Sequence, residues 1–132
     1  MITVEGKIKG KARPRHNTKT RRTFTPADTV QYENWVRVCY QEQDGRYFEG
    51  AVRAKITAYY KVPKSYSKKR VQAIKEGLDQ PQKKPDSDNV AKIILDSLNK
   101  IAYEDDSQVV ELKVFKRWTE ELERVEFELE EI

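Results

Sequence analysis

The sequence predicts one α+β domain in two layers, a mixed β-sheet packed against helices. Three observations carry this. "AVRAKITAYYKV" alternates Val52, Ala54, Ile56, Ala58 and Tyr60 with Arg53, Lys55, Thr57 and Tyr59, the period of a half-buried strand. "DNVAKIILDSLNKI" changes to helical spacing, with Val90, Ala91, Ile94, Leu98 and Ile101 on one side. "QVVELKVFKRW" and "RVEFELEEI" then return to strand patterning, Val125, Phe127 and Leu129 sharing a side of the second. The order is strand, helix, strand, helix, helix, strand, strand, which suits two layers around one core. With 132 residues, the chain is a single domain over 1–132.

Each element has its own signal. "MITVEGKI" places Ile2, Val4 and Ile8 in a first strand. "KGKARPRHNTKTRRTFTP" is basic and broken by Gly10, Pro14 and Pro26; it reads as a long loop, and loops of that length serve function or stay disordered. "ADTVQYENWVRVCYQE" reads as a helix with Val30, Trp35, Val36, Cys39 and Tyr40 sharing much of a face, capped by Asp28 or Thr25. "QDGRYFEG" is a turn. "PKSYSKKRVQAIKEG" is a loop and a short helix, Ser67 capping its start and Gly77 its end. The second long helix runs from about Asp88 to Ile101.

Composition narrows the function. Apolar runs are too short to span a bilayer and no signal-peptide core follows Met1, so the reading is a soluble, cytoplasmic protein with no membrane partner. One cysteine, Cys39, leaves no internal disulfide and no cysteine-based zinc site, and its apolar setting suits a buried, inert thiol. The one histidine, His16, has no visible triad partner. Net charge is only +4, but it is segregated. Basic residues crowd residues 7–22 and 61–84, and "TEELERVEFELEEI" is acidic. Segregated basic stretches suit a polyanion, nucleic acid first, although a solvated lysine-rich surface looks the same by charge alone. The acidic end reads as a segment lying away from such a partner or as a charged edge strand.

Against that basic background, "KKPDSDNVAKIILDSLNKIAYEDDSQ" gathers carboxylates. Asp88, Lys92 and Asp96 are spaced four apart and are neighbours on a helix surface; Asp86 precedes them beside Pro85. Each residue has an ordinary role open to it. Asp86, Ser87 or Asp88 can cap the helix, Lys92 can pair with a carboxylate a turn away, and Asp105 and Asp106 can shape a turn. One aspartate of each kind meets those needs, and the chain supplies a surplus. Clustered carboxylates repel one another unless a cation joins them, and Mg²⁺ takes oxygen ligands of this kind. Such a site positions phosphate and activates water, and Lys92 would add a positive charge beside the same phosphate.

The spacing D-x-D-N-x-x-K-x-x-x-D, followed after a helix by D-D-x-Q-V, resembles the signature of the RusA-type Holliday junction resolvases, crossover-junction endodeoxyribonucleases of phage and prophage origin. Here it comprises Asp86, Asp88, Asn89, Lys92 and Asp96, then Asp105, Asp106, Gln108 and Val109. "KGKARPR", "FTP", "YENWV" and "PKSYSKK" also look like that family, so the resemblance covers nearly the whole chain. It implies a RusA-like fold and a homodimer acting on four-way DNA junctions with Mg²⁺, or Mn²⁺ as a substitute. It implies that Asp86, Asp88 and Asp106 ligate the ion, Asp105 less certainly, and that Lys92 is the essential basic residue. Asn89 and Asp96 would support the site. Lys11, Arg13 and Arg15 would contact the DNA backbone, and Lys68, Lys69 and Arg70 would hold further phosphates. Phe24 or Tyr66 is either a base-stacking aromatic or ordinary packing. Two other classes stay open: a non-catalytic branched-DNA-binding protein of the same fold, and a D-x-D metal enzyme acting on nucleotides. The second lacks the glycine-rich phosphate loop it would need.

Overall fold

The computed structural model describes residues 1–12 and 27–132, and the backbone alone of 15–17 and 22–24. Strand β1 (Ile2–Glu5) is followed by a hairpin of β2 (Arg15–Asn17) and β3 (Arg22–Phe24), then helix α1 (Ala27–Gln43) and strand β4 (Val52–Lys61). Helices α2 (Lys68–Lys75) and α3 (Ser87–Ser97), one 3₁₀ turn (Asp106–Gln108) and strands β5 (Val109–Thr119) and β6 (Arg124–Glu131) complete the chain.

The main sheet has the order β1-β6-β4-β5. β4 runs parallel to β5 and antiparallel to β6, and β6 runs antiparallel to β1. The parallel pairing requires a long crossover, and residues 62–108 supply it with α2, α3 and the 3₁₀ turn. The α+β, two-layer, mixed-sheet expectation therefore holds. Val52, Ala54, Ile56, Ala58 and Tyr60 of β4 face inward, as do Val125, Phe127 and Leu129 of β6 and Ile2 and Val4 of β1. They meet Tyr32, Val36, Cys39 and Tyr40 of α1 and Val90, Ala91, Ile93, Ile94 and Leu95 of α3. Cys39 is buried, as expected. Ser67 caps α2 by accepting from Arg70 N, and Gly77 closes it with a φ of +76°.

The structure corrects four local expectations. Residues 15–17 and 22–24, including His16, form a small hairpin inside the segment read as a loop. Val30 and Trp35 stay exposed; the buried line of α1 is Thr29, Tyr32, Glu33, Val36, Cys39 and Tyr40, and the Trp35 indole instead donates to Glu5 O at 2.8 Å. Helix α3 ends at Ser97, because the chain then turns through Lys100, at φ +68°, so that Lys100 N can donate to Tyr103 O. The acidic C-terminal segment is not an edge. β6 is paired on both sides, and its glutamates stand on the open face, where Glu130 meets Arg53 and Glu126 meets Arg124. Val125, Phe127 and Leu129 fix that register by needing the core side.

Candidate active site

Helix α3 carries the centre of the site. Its buried face holds Val90, Ile93 and Ile94, which turns Asp88, Lys92 and Asp96 outward along one side. Two ties fix where the helix starts. The Tyr60 hydroxyl on β4 donates to Pro85 O at 3.0 Å, and Lys116 Nζ on β5 donates to Lys83 O at 2.6 Å. Asp86 stands at the N-cap of α3, yet its side chain makes no capping hydrogen bond. It pairs with Lys84 at 2.8 Å instead, and that ammonium holds its carboxyl below the usual carboxylate range. The simplest structural role for Asp86 is therefore unfilled.

Asp106 reaches the site from the 3₁₀ turn before β5. Asp105 begins that turn, accepting from Ser107 N at 2.9 Å, and this hydrogen bond lowers its pKa. Gln108 ties the turn down. Its Oε1 accepts from Glu104 N and Asp105 N at 2.9 and 3.2 Å, and its Nε2 donates to Phe48 O and Gly50 O at 2.9 and 3.0 Å. The Tyr103 hydroxyl, fully buried, donates to Leu95 O at 2.7 Å and locks the turn's approach against α3. Asp106 is thereby set against Asp96. This carboxylate contact, then burial and the charges of Asp96 and Asp105, raise the Asp106 pKa, with Lys92 opposing.

Asp88, Lys92 and Asp106 line one groove of about 300 Å³ between α3 and β5, with Ala91, Leu95, Val109 and Leu112 as its apolar walls. Asp96 lies behind it. One oxygen of Asp96 meets two ammoniums, Lys92 at 3.5 Å and Lys11 at 3.4 Å, and Lys11 also meets Glu33 of α1 at 2.9 Å. Burial works against the charge on Lys11, but Glu33 and then Asp96 outweigh it and raise its pKa.

The structure thus brings Asp88, Lys92, Asp96 and Asp106 together, with Asp86 at the same helix end. Asn89 faces the N-terminal segment: its carbonyl accepts from Lys11 N at 3.0 Å. Lys68 and Lys69 are exposed on α2. Arg70 is engaged, pairing with Asp79 at 3.1 Å and covering the Tyr66 ring at 3.8 Å. Tyr66 packs edge-on against Trp118, the ordinary packing role. Arg13 and Thr25 lie outside the described residues, and nothing is described of the Arg15 and Phe24 side chains. Sequence reasoning missed Glu33 and the anchoring role of Gln108. Glu33 sits one position after the buried Tyr32 on α1, an acid on an apolar face, and that was its available signal.

Every candidate ligand is a carboxylate oxygen, the donor type hard divalent cations take. The Asp96–Asp106 contact is of the kind a cation relieves, and the Asp86 carboxylate is not used in its cap. In donor chemistry the residues fit such an ion. Among the described residues, however, no three acidic, histidine or cysteine side chains converge as a ready-made cage.

Residues 5–130 match the family model described as "Endodeoxyribonuclease RusA". A Bacillus subtilis (strain 168) protein described as "Uncharacterized protein YqaN" is 36% identical over 136 aligned positions, covering 99% of this chain and 95% of that protein. A match across nearly the whole chain, with the acidic helix and the Asp106 turn on one groove, shows that this protein belongs to the RusA endodeoxyribonuclease family.

Proposed function

We propose that the protein is a Mg²⁺-dependent, structure-selective endodeoxyribonuclease that resolves four-way DNA junctions by paired symmetric nicks, in recombination and repair. The observation that supports this most is the shared groove of Asp88, Lys92 and Asp106. Asp86, Asp88 and Asp106 would hold Mg²⁺, or Mn²⁺ in its place, with Asp105 secondary because one of its oxygens already serves the turn. The bound ion supplies water activation and charge neutralisation at a phosphodiester. Lys92, 61% exposed, places its ammonium on a phosphate oxygen and stabilises the charge that develops during in-line displacement. Asp96 holds that side chain from behind. Lys68 and Lys69 bind backbone phosphate, with Arg13 and Arg15 assigned the same role by family resemblance. A junction has approximate two-fold symmetry and needs two opposed nicks, so a C₂ homodimer supplies one groove to each.

A second reading, branched-DNA binding without cleavage, is favoured by the lack of a preformed cage among the described residues. One experiment separates the two: nicking of a synthetic mobile four-way junction in Mg²⁺, with linear duplex as control, comparing the natural protein with Asp106→Asn. Paired symmetric nicks that the variant loses while still binding the junction support the nuclease. Tight junction binding without nicks in Mg²⁺ or Mn²⁺ supports the binding protein. No preference for branched DNA refutes both.

A further inference from the structure

Lys11 is not an ordinary surface lysine. Its side chain is 17% exposed, and its two partners, Glu33 and Asp96, are 10% and 17% exposed. The segment carrying it is pinned. Ile8 N donates to Glu123 Oε2 at 3.1 Å, and Lys11 N donates to Asn89 O at 3.0 Å. Gly10 packs so tightly against the start of α3 that an added Cβ would lie 2.6 Å from Pro85 Cβ.

A largely desolvated ion pair is weak support for stability, since an apolar pair of similar volume often serves as well or better. What an apolar pair cannot do is hold a fixed positive charge against Asp96. That position matters because Asp96 uses the same Oδ2 for Lys11 and for Lys92. Without Lys11, Lys92 would be the one remaining cation beside Asp96 among these contacts, and would be drawn back from the groove.

We propose that Lys11, clamped by Glu33, is a positioning residue: it neutralises Asp96 from inside the protein, so that Asp96 holds Lys92 weakly enough to leave its ammonium available to phosphate in the groove. This rests on the nuclease reading above. It gives Lys11 work inside the protein, in place of a phosphate contact. Glu33 is the outer end of the relay and tunes how strongly the Lys11 charge is felt at the carboxylates.

Three measurements on the full chain test this: Ca²⁺ affinity without DNA by calorimetry, junction nicking against Mg²⁺ concentration, and thermal melts. Removing the cation with Lys11→Met should tighten Ca²⁺ binding by about 3-fold, and removing its counter-charge with Glu33→Gln should weaken it by about 3-fold. Opposite signs report that the charges of the pair are felt at the carboxylates, and the turnover and rescue readouts that follow separate positioning from a merely structural pair. Turnover at saturating Mg²⁺ should fall by about 30-fold in Lys11→Met without an increase in the Mg²⁺ concentration required, and Lys11→Arg, which keeps the charge, should recover at least part of it. If Lys11→Met does not fold, the apolar swap Lys11→Met with Glu33→Leu replaces it; large loss of turnover with junction binding kept supports the proposal. Turnover within about 3-fold of the natural protein in that swap, or Ca²⁺ affinities moving the same way in both single variants, overturns it. Should the natural protein cleave no branched DNA, the nuclease reading and the role of Lys11 that rests on it both fail, whereas matching Ca²⁺ shifts with nicking intact overturn the role of Lys11 alone.

Discussion

Gly10→Ala is a small change with a calculable effect. An added methyl would lie 2.6 Å from Pro85 Cβ and 3.1 Å from Asn89 Cβ. Carbon atoms at rest sit about 3.5–4.0 Å apart, so the segment must retreat from α3 by about 1 Å. Neither neighbour can yield cheaply, since Pro85 is a ring held by the Tyr60 hydroxyl and Asn89 lies in the first turn of the helix. Overpacking of this kind costs about 1–3 kcal/mol. The same retreat stretches the 3.0 Å bond from Lys11 N to Asn89 O beyond hydrogen-bond length, adding about 1 kcal/mol. The total is about 2–4 kcal/mol, or a fall in Tm of about 6–16 °C for a chain of this size. Thermal melts monitored by circular dichroism measure it. Gly50→Ala is the internal control, because the nearest atom to its added Cβ is Glu131 Oε1 at 4.0 Å. It should shift Tm by no more than about 2 °C. Equal melting of the two variants would refute the close approach that seats Lys11.

Two further outcomes follow from the turn and the carboxylate contact. Gln108→Ala strips partners from two backbone N–H groups and two carbonyls and should cost about 2–3 kcal/mol in denaturant unfolding; Gln108→Glu, which keeps the acceptor alone, should fall between. Because the folded protein raises the Asp106 pKa, folding binds that proton more tightly than the unfolded chain does. Stability is then lost as pH rises from the unfolded value near ~4 through the raised one, and the penalty is complete above it. Asp106→Asn should therefore melt higher than the natural protein at pH 7 in chelator, lose that advantage near pH 3, and respond less to added Ca²⁺. A lower Tm for the variant at pH 7 without metal would refute the like-charge contact.

Where burial dictates the residue, the sequence was readable. Strict alternation in β4 and β6 and the apolar side of α3 named the sheet and the main helix, because one wrong step would put charge into the core. The aspartate surplus pointed to the candidate site for a related reason: the turn uses Asp105, but the cap of α3 leaves the Asp86 carboxylate over. Other features leave little local trace. The β2–β3 hairpin pairs polar residues apart from Phe24, with no apolar period to announce it. Gly10 read as a loop breaker, whereas its part is to admit α3 closely, a fact about a partner some 75 positions away. Lys11 looked like one more basic residue in a basic run, and only the fold reveals that Glu33 and Asp96 enclose it. Gln108 was visible as a motif letter, and its four backbone bonds emerge only once residues 48–50 are brought beside it.

The sheet order also governs when the site can come into being. Among the described residues β1 pairs with β6 alone, so Ile2 waits for Phe127 and Val4 for Val125. During synthesis β1 stays without this neighbour until β6 has also been made. The Lys11 segment follows directly from β1 and is anchored by Glu123, at the threshold of β6. The parts of the groove on α3 and β5 can meet sooner, but the charge balance behind Asp96 closes last. Such long-range pairings are slow to form. The candidate groove and the sheet therefore share one long-range dependence: the segment that carries Lys11 is seated only where β1 and the approach to β6 come together.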